Sequence, residues 1–129
     1  MPKPLVPVNG VPIIATILDA LNAAGISSIT IVRGYCGTAF DALRETYPHL
    51  AFIDNPDWET ANNISSIALA GRAGLLADSY VIEGDLYLAN PAIITPMQTR
   101  TNYIAFPVES TDDWCFDTDA AGKITHIDT

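Results

Sequence analysis

Between Pro12 and Asp85 the chain alternates segments whose apolar residues recur at helical spacing with short runs rich in β-branched residues. That alternation constrains the fold more than any other feature. Ile13, Ile14, Ile17, Leu18, Leu21 and Ala24 mark one helix, with Pro12 suited to its first turn and Gly25 to its C-terminal cap. Ser27 to Arg33 (SSITIVR) predicts a buried strand, Phe40, Leu43 and Tyr47 a second helix ending before Pro48, and Leu50 to Asp54 a second strand. Ile64, Ile67 and Ala68 predict a third helix capped by Asn62 or Asn63, because a side-chain amide oxygen accepts an unpaired backbone N–H. Ser79 to Ile82 (SYVI) predicts a third strand, with Tyr80 in its middle and part of the core. This order is that of a mostly parallel α/β sheet with helices on its faces. Ligands of such sheets gather beyond the carboxyl ends of the strands, where Gly34 and Asp85 fall.

The flanking segments differ. Residues 2–12 hold four prolines and one glycine and are expected to form an irregular, stiff loop. At the other end, Asn102 to Val108, Trp114 to Thr118 and Lys123 to Ile127 read as strands, and Asp119 to Gly122 as a turn, giving an antiparallel edge hairpin.

At 129 residues, with 49% hydrophobic against 16% charged, the chain is expected to form one compact domain over 1–129. The formal net charge of −9 is the wrong sign for tracking a phosphate backbone or an anionic membrane, so neither nucleic acid nor membrane is expected as a partner. The charge is uneven. Residues 1–40 carry Lys3 and Arg33 against Asp19, net +1, and the remainder is net −10, so an anion site is expected near Lys3. Cys36 and Cys115 lack C-x-x-C spacing and have only His49 and His126 to join them, which suits free thiols of a cytoplasmic protein better than zinc or a disulfide scaffold. No signal-peptide pattern follows Met1, and no apolar run approaches the ~18 residues of a membrane span.

Four constellations could carry chemistry. Glu83-Gly84-Asp85-Leu86-Tyr87 places two carboxylates at a strand end, where Asp85 either binds Mg²⁺ through one oxygen or caps the next turn. Lys3, between Pro2 and Pro4, is either a phosphate-binding cation held with little entropy to lose or a solvated lysine. Asn62-Asn63-Ile64-Ser65-Ser66 is a helix start with more amides and hydroxyls than capping needs, able to bond a base edge or a sugar. Trp114, beside Asp112 and Asp113, has what a quaternary ammonium needs, and equally suits packing of the edge hairpin. Neither G-x-S-x-G nor H-E-x-x-H occurs.

The run from Pro2 to Ile14 (PKPLVPVNGVPII) closely resembles the segment that follows the phosphate loop in bacterial nucleotidyltransferases of the sugar-phosphate type. Ala24-Gly25-Ile26, Ile31-Val32-Arg33-Gly34-Tyr35, the Asn62 to Ser66 run, Tyr80 to Tyr87, Asp113-Trp114 and Gly122-Lys123-Ile124 follow in order and look most like the choline-phosphate cytidylyltransferase branch. The resemblance implies a Rossmann-like three-layer fold and attack of a substrate phosphate on the α-phosphorus of CTP with loss of pyrophosphate. It also implies roles. Lys3 would be catalytic, Asp85 would bind Mg²⁺, Asn62, Asn63 and Ser65 would lie near the nucleotide, and Trp114 and Tyr87 would face a phosphorylated amine such as phosphocholine. The alternatives are a sugar-phosphate acceptor with another nucleotide, or a catalytically silent relative.

That family places a strand and a G-x-G-x-R loop before the Pro-Lys-Pro segment and a second metal-binding acid after the hairpin. Neither is in this sequence, so the expectation is a domain truncated at both ends. The strands at Ile29 to Arg33 and Tyr80 to Ile82 would then lack a shared neighbour, and are expected to pair directly or to have the gap filled by another copy of the chain, forming a homo-oligomer.

Overall fold

The computed structural model describes residues 1–62, 64–102, 108–111 and 115–128. They form two compact units, Met1–Gln98 and Thr99–Thr129. The first contains the antiparallel pair β1 (Pro7–Val8) and β2 (Val11–Pro12), helix α1 (Ile13–Ala23), the parallel pair β3 (Thr30–Arg33) and β4 (Ala51–Asp54), and helix α2 (Ile64–Arg72). The second contains the antiparallel hairpin β5 (Cys115–Thr118) and β6 (Ile124–Asp128).

Helix α1 buries Ile14, Ala15, Ile17, Leu18, Ala20 and Leu21. Ile14 and Leu18 join Phe40 and Leu50 in one cluster, against which Ile31 of β3 and Phe52 of β4 pack. Ile17, Ala20 and Leu21 join Ile94 in a second, covered by Tyr80, Ile82 and Leu88. Each large aliphatic side chain among them contributes about 1.5–3 kcal/mol on burial, so α1 organises the first unit. The helix ends as its sequence predicts. Gly25 has φ +76°, its N–H donates to the Asn22 carbonyl at 2.9 Å, and the Ile26 N–H donates to that of Leu21 at 2.9 Å, a Schellman closure.

Three elements depart from the sequence reading. Residues 2–12 are not an irregular loop throughout: a 3-10 turn over Lys3–Leu5 leads into the β1–β2 hairpin. Its turn is Asn9-Gly10, with φ of 51° and 84°, the conformation a two-residue hairpin requires. Pro7 opposes Pro12 at a position where neither needs a ladder N–H, while the Ile13 N–H donates to the Val6 carbonyl at 3.1 Å. The second predicted helix is a 3-10 segment over Gly37–Glu45. It has no capping side chain, and Arg33 Nη1 donates to its first carbonyl, Gly37, at 3.0 Å.

Ser79 to Ile82 does not form a strand and does not pair with β3. Tyr80 and Ile82 pack onto α1 through their side chains, and the Tyr80 hydroxyl donates to the Thr95 carbonyl at 2.7 Å. The segment satisfies its apolar pattern without a ladder. On β3, the Ile29 and Arg33 carbonyls accept from the Ala51 and Asn55 N–H groups, so the backbone groups of Thr30 and Val32 point to the opposite edge. Among the described residues none pairs with them.

In the second unit, Asp119 Oδ1 accepts from the Ala121 and Lys123 N–H groups, both at 2.9 Å, and Gly122 takes φ +75°, which accounts for the predicted turn. The predicted strand at Asn102 to Val108 lies largely outside the described residues. Among the described residues no helix is long and apolar enough to cross a membrane.

The packing at the end of β3 is directly testable. A Cβ added to Gly34 would strike Trp58 Cβ and come within 2.6 Å of its Cγ, so Gly34→Ala should destabilise the chain by roughly 1–3 kcal/mol. Thermal unfolding measures this, and an unchanged Tm would show that Trp58 does not rest on Gly34. A second prediction concerns Tyr47. Burial, then the hydrogen bond it donates to Asp19 at 2.7 Å, push its phenol up to about 12 from the ordinary 10.0. The folded state holds this proton more tightly, so the contribution to stability is complete below pH 10.0 and is lost as pH rises towards about 12. Tyr47→Phe should flatten that part of a stability profile relative to the parent, and identical profiles would contradict the assignment.

Candidate active site

The N-terminal 3-10 turn and the segment after SYVI meet on α1. An added Cβ at Gly84 would lie 3.5 Å from Pro4 and 3.7 Å from Ile14, so Gly84 rests on the proline ring and the first turn of the helix. Four residues on, the Leu88 N–H donates to Thr16 Oγ1 at 3.0 Å, while that hydroxyl donates to the Ile13 carbonyl at 2.7 Å. These contacts pin residues 84–88 beside residues 3–5.

The result is a contact between groups 82 positions apart: Lys3 Nζ lies 2.7 Å from Asp85 Oδ2. Lys3 is 76% exposed and Asp85 30%. The hydrogen bond to Asp85, then the charge of that carboxylate, raise the ammonium's pKa above its ordinary value, and Glu83 adds to the effect. The Asp85 carboxylate therefore accepts from Lys3 rather than from a backbone N–H of the next turn, which is made instead by the Leu86 N–H and the Glu83 carbonyl at 3.4 Å. Tyr87 is exposed two residues beyond.

Asp85 Oδ1 takes no hydrogen bond among the described residues, and no group of three or more His, Cys, Asp or Glu side chains there could hold a metal ion. A single carboxylate fits Mg²⁺, which binds through one or two carboxylates and fills its remaining positions with phosphate oxygens and water.

Asn62 and Ser65 stand together at the start of α2. The Asn62 carbonyl accepts from the Ser65 N–H at 3.0 Å and from Ser65 Oγ at 2.8 Å. Asn55, the residue after β4, is buried and donates to Ser65 Oγ at 2.8 Å and Ser66 Oγ at 3.1 Å. In the sequence Asn55 stands in the polar stretch between β4 and α2. Its only signal is an amide placed at the end of a strand where the chain turns. Asn63 and Trp114 lie outside the described residues.

The second cation of the N-terminal stretch is committed to structure. Arg33 pairs with Asp41 at 2.6 Å and Asp54 at 2.7 Å, and its guanidinium lies 4.3 Å over the Phe52 ring, with that of Arg44 at 4.4 Å. Beyond Gly34, Tyr35 and Trp58 form an edge-to-face pair with centroids 5.6 Å apart.

Known proteins share this fold. Residues 1–122 match the MobA-like NTP transferase domain. The chain is 38% identical over 127 residues to a 2-aminoethylphosphonate cytidylyltransferase of Lancefieldella rimae, covering 98% of this chain and 52% of the relative. It is 33% identical over 113 residues to the choline-phosphate cytidylyltransferase of Streptococcus pneumoniae, covering 88% and 48%. The solved structure of the CTP:phosphocholine cytidylyltransferase of Streptococcus pneumoniae superposes with a TM-score of 0.89 at 33% identity, over 98% of this chain and 54% of that one. The chain thus spans about half the length of the curated relatives it matches. Its mixed α/β fold is that of a cytidylyltransferase. By sequence and by structure, the chain belongs to the MobA-like NTP transferase family.

Proposed function

We propose that the chain carries the nucleotidyl-transfer site of a cytidylyltransferase that moves a cytidylyl group from CTP to a small phosphate or phosphonate bearing a cationic amine. The observation that carries the reading is the 2.7 Å contact between Lys3 and Asp85. Two segments far apart in sequence bring a cation and a carboxylate to one place, as a metal-bound triphosphate needs.

An acceptor oxygen attacks the α-phosphorus, the bond to the bridging oxygen breaks, and pyrophosphate leaves with the electron pair. Negative charge builds on the α-phosphoryl oxygens during that exchange, and a cation brought to the phosphates neutralises it. Lys3 serves this purpose, leaving Asp85 for the phosphates. Asp85 would hold a Mg²⁺ ion, which when bound supplies further neutralisation of phosphate charge. Asn62 would lie on the nucleotide side of the site, with Ser65 bonded to its carbonyl. Tyr87 would face the amine of the acceptor, where an aromatic face attracts a cation. Phosphocholine and 2-aminoethylphosphonate both have that chemistry, and both stand in the names of relatives. The reading places the protein in the cytoplasm, consistent with Cys36 and Cys115 being free thiols.

Among the described residues nothing pairs with the outward-facing backbone groups of Thr30 and Val32, which supports a homo-oligomer, because an open β edge templates another strand. Solution scattering should show self-association, and a monodisperse monomer would contradict it.

Pyrophosphate release from CTP, measured with Mg²⁺ and either phosphocholine or 2-aminoethylphosphonate, tests the reaction. Lys3→Ala and Asp85→Asn should each lower kcat by about 10²–10³-fold, as loss of a preorganised charge-stabilising group does. No turnover of CTP with either acceptor, or parental rates in both variants, would overturn the assignment.

A further inference from the structure

Asn55 is 4% exposed, and its side chain is fully committed. Its Oδ1 accepts from the Asp57 N–H at 3.0 Å, which fixes the orientation of the amide, and both Nδ2 hydrogens are then spent on Ser65 and Ser66. Ser65 Oγ, having accepted from Asn55, gives its one proton to the Asn62 carbonyl. Proton donation therefore runs in one direction, from Asn55 through Ser65 to Asn62.

We propose that this Asn55–Ser65–Asn62 relay is a positioning device that sets the start of α2 for the nucleotide, with Ser65 acting through Asn62 rather than touching the ligand. The proposal rests on the nucleotide-side role of Asn62 given above. The chemistry explains why position 55 holds an amide and not a carboxylate. An aspartate there would have nothing to donate, and would draw the Ser65 proton away from the Asn62 carbonyl. Because Ser65 spends its only proton on that carbonyl, it has none left for a base or a ribose.

The test compares Asn55→Asp, Ser65→Ala and Ser65→Thr with the parent chain in two measurements. In direct titrations, Asn55→Asp and Ser65→Ala should weaken CTP binding roughly tenfold, the scale of one hydrogen bond to a partner left unsatisfied. Ser65→Thr, which keeps the hydroxyl, should restore it. Pyrophosphate, which needs only the Lys3 side of the site, should bind all of them alike, whereas general loss of structure would weaken both ligands together. The second measurement needs no ligand. Amide exchange at Ser65, whose N–H is bound to Asn62, should accelerate in Asn55→Asp and Ser65→Ala, return in Ser65→Thr, and leave the β3–β4 amides unchanged. Parental exchange at Ser65 in Asn55→Asp overturns the relay. Faster exchange with parental CTP affinity overturns its role in nucleotide positioning. A parent chain that binds pyrophosphate but not CTP, with exchange behaving as expected, overturns the CTP reading and leaves the relay standing.

Discussion

Helix α1 is apolar around most of its circumference, and the segments that matter for function are placed by what it must bury. Pro4 and Gly84 meet on its first turn at Ile14, Thr16 bonds the Leu88 backbone, and Ile17 and Leu21 sit under Tyr80 and Ile82. The 2.7 Å approach of Lys3 to Asp85 is thus a consequence of packing more than of attraction between the charges. Exposed ion pairs hold little free energy, because water screens them and long side chains resist being fixed. A contact of that kind does not hold two segments together. It is readily exchanged for a more highly charged partner.

Charge is distributed to the same effect. In a chain of net charge −9 a free cation is scarce, and Arg33 is taken up by Asp41, Asp54 and the Phe52 face. Lys3 differs in standing in solvent with one carboxylate partner, itself able to accept a cation through its other oxygen. The acids elsewhere repel an anion. Of the two cationic side chains in residues 1–40, Lys3 is the one that stands open to solvent.

Much of this was legible in the sequence because it rests on local rules. The extent of α1, its closure at Gly25 and the turn at Asp119 to Gly122 follow from spacing and backbone preference. The convergence of Lys3 and Asp85 followed from resemblance, not from spacing. What was not legible depends on partners far along the chain. SYVI has the composition of a strand, yet strand formation needs a neighbour, and its side chains are satisfied by α1 without one. Asn55 looks like any loop amide until β4 and α2 are folded together and Ser65 arrives beside it. The Asn9-Gly10 hairpin was hidden by prolines that fall where no ladder N–H is required.

Every functional role proposed for these residues requires one site that takes a triphosphate between the Lys3 turn and the Asp85 segment. Amide and side-chain resonances of the isotope-labelled chain, followed while CTP and Mg²⁺ are added, test this most directly. Lys3, Gly84, Asp85 and Asn62 should shift together and saturate with one affinity. Shifts gathered at the opposite strand ends, in the cleft lined by Ser27, Tyr47 and His49, with Lys3 and Asp85 unmoved, would contradict it.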